Sequence, residues 1–149
     1  MGSNNSITPS FIFEKKGKNM SLELVNSSVQ TVTAGGTLNL GNVNIRQCDC
    51  VVYNGTNSLE FKRNGIYQVL VKADVTASVA DQLVSLGLAY NNTISTIASA
   101  SANLVNADDV ITLTIPKMIK ICNAPLTLTV VNTGADTTDY SNIIVDINK

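Results

Sequence analysis

The chain has 149 residues, ten basic side chains against eleven acidic ones, a net charge of −1 and no histidine. That length suits one domain able to bury a core of its own. The balanced charge, with no block of one sign, excludes the electrostatic footprint of a nucleic-acid binder, and no apolar run is long enough to span a bilayer.

Hydrophobic residues make up 44% of the chain, but aromatics only 5% and charged residues only 14%. Asn, Thr and Ser fill the polar positions instead, giving a neutral, hydrogen-bonding surface suited to packing against other subunits. The N-terminus lacks the charged start and apolar core of a secretory signal, so synthesis in a host cytoplasm is expected.

Residues 1–20 differ from the rest. A polar, turn-forming stretch leads to the apolar island Phe11, Ile12, Phe13, and then to Lys15, Lys16 and Lys18. Two of the three phenylalanines lie here, so the segment reads as an extended arm that packs on its own domain or docks a partner.

From Ser21 onward the pattern is strand after strand. "LELV" and "VQTVTAGGTLNLG" are short extended pieces around Ala34-Gly35-Gly36. "CDCVVY" and "SLEFKR" are strands ended by Asn54-Gly55 and Asn64-Gly65, pairs that tolerate positive φ. In "GIYQVLVKADV", Tyr67, Val69, Val71, Ala73 and Val75 alternate with Ile66, Gln68, Leu70, Lys72 and Asp74, which predicts a half-buried strand. "QLVSLGLAY" places Val84, Leu86, Leu88 and Tyr90 on one face, and Asn91-Asn92 then turns the chain. "TISTIASASANLV" is weakly patterned; it is the only segment arguable as a helix, and its β-branched and Ser content speaks against that. "DVITLTIPKMIKI" alternates as far as Ile115, and Pro116 then marks an edge strand or a bulge. "PLTLTVVN" is a strand, "GADTTDYS" a loop, and "NIIVDIN" a final strand with Ile143, Val145 and Ile147 inward. Many short strands at roughly ten-residue spacing indicate an all-β sandwich or jelly roll.

Catalytic chemistry finds few residues to use. Without histidine there is no Ser-His or Cys-His pair. Asp108 with Asp109, and Asp136 with Asp139, read as solvated turn carboxylates; a calcium site at the second pair would lack EF-hand spacing. Cys48, Cys50 and Cys122 are odd in number and read as small buried apolar groups rather than metal ligands. "AGGTLNLG" lacks the Gly-Lys-Ser/Thr of a phosphate loop. No cofactor, metal or catalytic set is expected.

The run Phe61-Lys-Arg-Asn-Gly65-Ile-Tyr67-Gln-Val69 resembles the central motif of the tumour-necrosis-factor and complement-globular-head superfamily, with Val69 where the animal proteins carry an aromatic. The wider pattern is similar to a bacterial and phage branch: Val32-Thr-Ala-Gly-Gly36-Thr-Leu-Asn-Leu40-Gly, a Cys-containing strand, Gly-x-Tyr, then Cys122 before Leu126-Thr-Leu128. The resemblance covers residues 21–149. It implies an antiparallel jelly-roll sandwich in which Phe61, Gly65, Tyr67 and Val69 form the core motif. It also implies a homotrimer, and Ile66, Leu70 and Ile144, on the faces turned from that core, then need cover from a subunit interface or a loop. In function it implies a structural virion protein on a phage capsid surface, a capsid decoration or head fibre. Residues 1–20 would attach it to the major capsid protein or another virion protein. The alternative is a trimeric binding module displayed on a spore or fibre tip, recognising glycan or a host surface through loops such as 91–107 and 133–141. An enzyme is not expected.

Overall fold

A computed structural model describes residues 21–47 and 49–149. The arm residues Phe11, Ile12, Phe13, Lys15 and Lys16 lie outside the described residues, as does Cys48.

The described chain is all β. Its strands in order are β1 (Ser21–Asn26), β2 (Gln30–Val32), β3 (Asn42–Arg46), β4 (Val51–Tyr53), β5 (Ser58–Phe61), β6 (Gly65–Thr76), β7 (Gln82–Tyr90), β8 (Thr93–Leu104), β9 (Val110–Ile121), β10 (Leu126–Val131) and β11 (Thr138–Asn148). One sheet has the order β8-β7-β10-β5-β4; the other runs β9-β6-β11-β1-β3, with β2 pairing the start of β11. Every pairing is antiparallel. Apart from the β7–β8 and β4–β5 hairpins, neighbouring strands are not consecutive in the chain, the mark of a jelly roll rather than a meander.

The alternation of β6 decides the layering. Tyr67, Val69, Val71, Ala73 and Val75 are buried between the sheets, and they meet Val84, Leu86 and Leu88 of β7, Leu128 and Val130 of β10, and Ile143, Val145 and Ile147 of β11. A period of two on each strand is what closes two sheets over one apolar layer. Pro116 stands within β9, opposite Leu70, and β9 is an edge of its sheet. An edge strand is where a sheet tolerates a proline. The weakly patterned segment is β8, the matching edge of the other sheet, with a register shift between Ile94 and Ser99.

The motif around Tyr67 packs as a unit. Phe61 and Tyr67 are both fully buried, with ring centroids 4.8 Å apart at 77°, the edge-to-face geometry aromatic pairs prefer. The Tyr67 hydroxyl donates to the Arg63 carbonyl at 2.8 Å, and Lys149 Nζ lies 5.2 Å from the Tyr67 ring centre. Gly65 has φ +149°, the backbone state that lets the chain leave the Asn64 turn and enter β6.

Several sequence expectations need correction. β3, "NVNIR", is a strand the pattern did not reveal; it is exposed along its whole length at a sheet edge, so it carries no inward apolar face. The "GADTTDYS" loop is shorter than expected, because Thr138, Asp139 and Tyr140 already pair with β2. Asp136 and Asp139 therefore do not share a loop, and Asp139 accepts a 2.6 Å hydrogen bond from the Thr31 hydroxyl. Residues 91–107 are mostly strand β8 rather than a recognition loop. The cysteines are not three equivalent buried groups: Cys50 is buried, sits in a turn before β4 and is disulfide-bonded, whereas Cys122 is an exposed free thiol.

Candidate assembly face

The residues that alternate away from the core on β9, β6, β11, β1 and β3 make up the outer face of the larger sheet. Register arranges them in rows across the strands. One row reads Pro116, Leu70, Asp146, Glu23, Ile45. The next, toward the β6 start, reads Met118, Gln68, Asn148, Ser21. On the other side lies Thr114, Lys72, Ile144, Val25, Asn42. Adjacent rows are two residues apart on β9, β6, β11 and β1, about 6.6 Å, and three apart on β3, where the register shifts, so side chains of neighbouring rows touch.

This places the three expected interface residues on one face. Leu70 and Ile144 are diagonal neighbours on β6 and β11. Ile66 lies one turn of the pleat further, opposite Lys120, and is 54% exposed. Leu70 is exposed and Ile144 half-buried. The face also gathers residues that sequence reasoning missed: Pro116, Met118 at 58% exposure, and Ile45 at 49%. The β9 alternation could have supplied Met118, had it been carried past Pro116. Leu70, Gln68, Pro116, Lys117, Met118, Asp146 and Asn148 surround an open hollow of about 450 Å³. A dented sheet face on which exposed apolar side chains alternate with polar ones is a surface type that another protein surface covers.

Two carboxyls stand opposite each other in the middle of the face. Glu23 and Asp146 are direct cross-strand partners and share a side-chain hydrogen bond. Burial, and then the neighbouring Glu23, push Asp146 up to about 6. Hydrogen bonds from Asp146 and then Asn44 hold Glu23 below its usual value. The Asn44 amide donates to Glu23 Oε1 at 2.7 Å. The pair thus holds one proton well above the ordinary carboxyl range, lodged on Asp146.

The opposite end of the sandwich differs. There the 77–81 and 105–109 connections are laced together by backbone bonds, Asp81 N to Val105 O at 2.9 Å and Asp108 N to Ala77 O at 2.9 Å. Val79, Leu83, Val105 and Val110 are all more than half exposed at this end. Beneath them Gln82 is buried, its Oε1 accepting from Ser78 N at 2.7 Å and its amide donating to Thr138 Oγ1 at 3.1 Å. Asp108 and Asp109 serve the turn: Asp109 Oδ2 caps Asn106 N at 3.0 Å. Among the described residues, no three His, Cys, Asp or Glu side chains gather where they could hold a metal ion.

No family profile and no curated protein sequence matches the chain. Solved structures do. The Eiger TNF of S. frugiperda superposes with a TM-score of 0.73 at 13% identity, over 88% of this chain and 92% of that one. Murine APRIL at pH 5.0 gives 0.65 at 13% identity, over 89% and 99%. The globular domain of the zebrafish complement 1qA protein gives 0.63 at 8% identity, over 87% and 94%. The fold is therefore the TNF-like jelly roll.

Proposed function

We propose that this chain is a non-catalytic assembly module that works as a homotrimer, each copy covering the outer face of the larger sheet of the next. The observation that carries the reading is that face: Leu70, Pro116 and Met118 exposed around a hollow, with Ile66 and Ile144 beside them. A contact in which one face meets a different surface of the next copy closes as a ring when the rotation permits, and three copies are what the sequence resemblance implies. The mass of the protein in solution tests it. A trimer that Leu70→Glu converts to a folded monomer supports the reading; a monomer at every concentration overturns it.

In the setting we propose, the trimer is a structural virion protein, a decoration or head-fibre component on a bacteriophage capsid. The support is the sequence likeness of Val32–Gly41, Gly65-Ile-Tyr67 and Cys122 through Leu128 to the bacterial and phage branch, together with the composition of residues 1–20. Phe11, Ile12 and Phe13 would insert into the major capsid protein or another virion protein, and Lys15 and Lys16 would meet acidic groups around the site. Deleting residues 1–20 should abolish incorporation and leave a folded trimer. Undiminished occupancy on the particle would overturn this assignment.

A second reading uses the end built from 77–81 and 105–109. Its exposed Val79, Leu83, Val105 and Val110 favour a displayed binding module that contacts a host surface or glycan there. Screening the soluble protein against host-cell glycans separates the two readings.

A further inference from the structure

We propose that the Glu23–Asp146 pair makes association through the outer sheet face proton-linked, so that copies hold together in mild acid and loosen toward neutral pH. The inference rests on the reading that a second copy covers this face.

The geometry sets the pair up for this. The two carboxyls are opposed by register on neighbouring strands, in the central row of the face, between Leu70 on one side and Ile45 on the other. Ile144 and Val25 stand in the adjacent row. Any surface that covers Leu70 and Ile144 also covers the pair.

Few charges compensate it. From β6, Lys72 acts on Asp146 and favours its ionised form. From β9, Lys117 lines the same hollow as Asp146. From β3, Asn44 donates to Glu23, while the Arg46 guanidinium is turned to Asp49 at 3.3 Å. Asp74 of β6 is spoken for by the Thr112 hydroxyl at 2.6 Å and the Asn142 amide at 2.9 Å. On β11 and β1 the nearest outward neighbours, Asn148 and Ser21, are neutral and bonded to each other at 3.0 Å.

In the free chain the pair keeps its shared proton up to about pH 6 and then carries two negative charges. A covering copy expels the water that screens the second charge. A singly charged, hydrogen-bonded pair is cheaper to cover than a doubly charged one. Association above about pH 6 therefore takes up a proton per pair, and the dissociation constant rises by up to about tenfold per pH unit for each covered pair.

Sedimentation velocity of the full chain from about pH 5 to about pH 8 reads this directly. The expected result is a dissociation constant rising at least about tenfold across that range. Asp146→Asn should flatten the dependence and keep the oligomer at the upper end, with Glu23→Gln as the second variant should the first fail to fold. A wild-type oligomer whose affinity is flat, or tightens with pH, overturns the proton linkage and leaves self-association standing. A wild-type monomer at every pH overturns self-association itself.

Discussion

The hydroxyl of Tyr140, on β11 of the larger sheet, donates to the backbone carbonyl of Ser85, on β7 of the smaller sheet, at 2.6 Å. The ring is fully buried, so one side chain fills the interlayer space and ties the two sheets together across it. Burial pushes the Tyr140 hydroxyl far above its usual range. Tyr140→Phe keeps the ring and strands the carbonyl. We expect a loss of about 1–2 kcal/mol, read by urea unfolding. The sign with pH follows: a raised hydroxyl contributes stability below its unfolded value near 10. That contribution is lost only as the folded group ionises in strong alkali.

Gln82, bonded to Thr138 two residues before Tyr140, is a second test at the same end. It is 2% exposed and satisfies Ser78 N and Thr138 Oγ1 at once. Gln82→Leu preserves much of the volume and removes every partner. It should cost about 2–3 kcal/mol, and amide exchange should accelerate first in the 77–81 connection.

Gly41 has φ +83°, and a Cβ there would lie 2.1 Å from the Val25 carbonyl oxygen. Gly41→Ala should cost more than about 2 kcal/mol. Gly55, at φ +89° with open space around it, isolates the backbone effect, and Gly55→Ala should cost only about 1 kcal/mol. Equal losses at the two sites would contradict the close approach at Gly41.

Asp146 gives a pH-dependent prediction for the single folded chain, best measured at a dilution where the chain is monomeric. Its folded carboxyl is raised to about 6 from 3.8, so the native state holds this proton more tightly than the unfolded chain. That contribution is complete below 3.8 and is lost as pH rises through about 6. Asp146→Asn cannot titrate. It should therefore gain on its parent between acid and neutral pH by about 1 kcal/mol after solvent screening, seen as a relative rise in melting temperature. Glu23, held low, runs the other way, its contribution being lost on acidification.

The layering was legible because it depends on local alternation. Tyr67 through Val75 announce β6, and Asn54-Gly55 and Asn64-Gly65 announce its approaches. The expected jelly roll is the fold found. What escaped was what local pattern does not encode. β3 is a wholly exposed edge, so nothing in its composition demands a strand. Thr138–Tyr140 look like a loop because their partner strand, β2, is only three residues long. Glu23 and Asp146 lie at opposite ends of the chain. Only the pairing register of β1 with β11 makes them neighbours, and a shift of one residue would send them to opposite faces.

Ser21 enters the larger sheet in the row of Asn148 and Gln68, near the start of β6, whereas the 77–81 and 105–109 connections follow its far end at Thr76. The domain thus has a foot and a crown, separated by most of a twelve-residue strand, about 40 Å from end to end. If the domain were attached through the segment before Ser21, as proposed above, the attachment would be at the foot, and Val79, Leu83, Val105 and Val110 would lie at the end away from it.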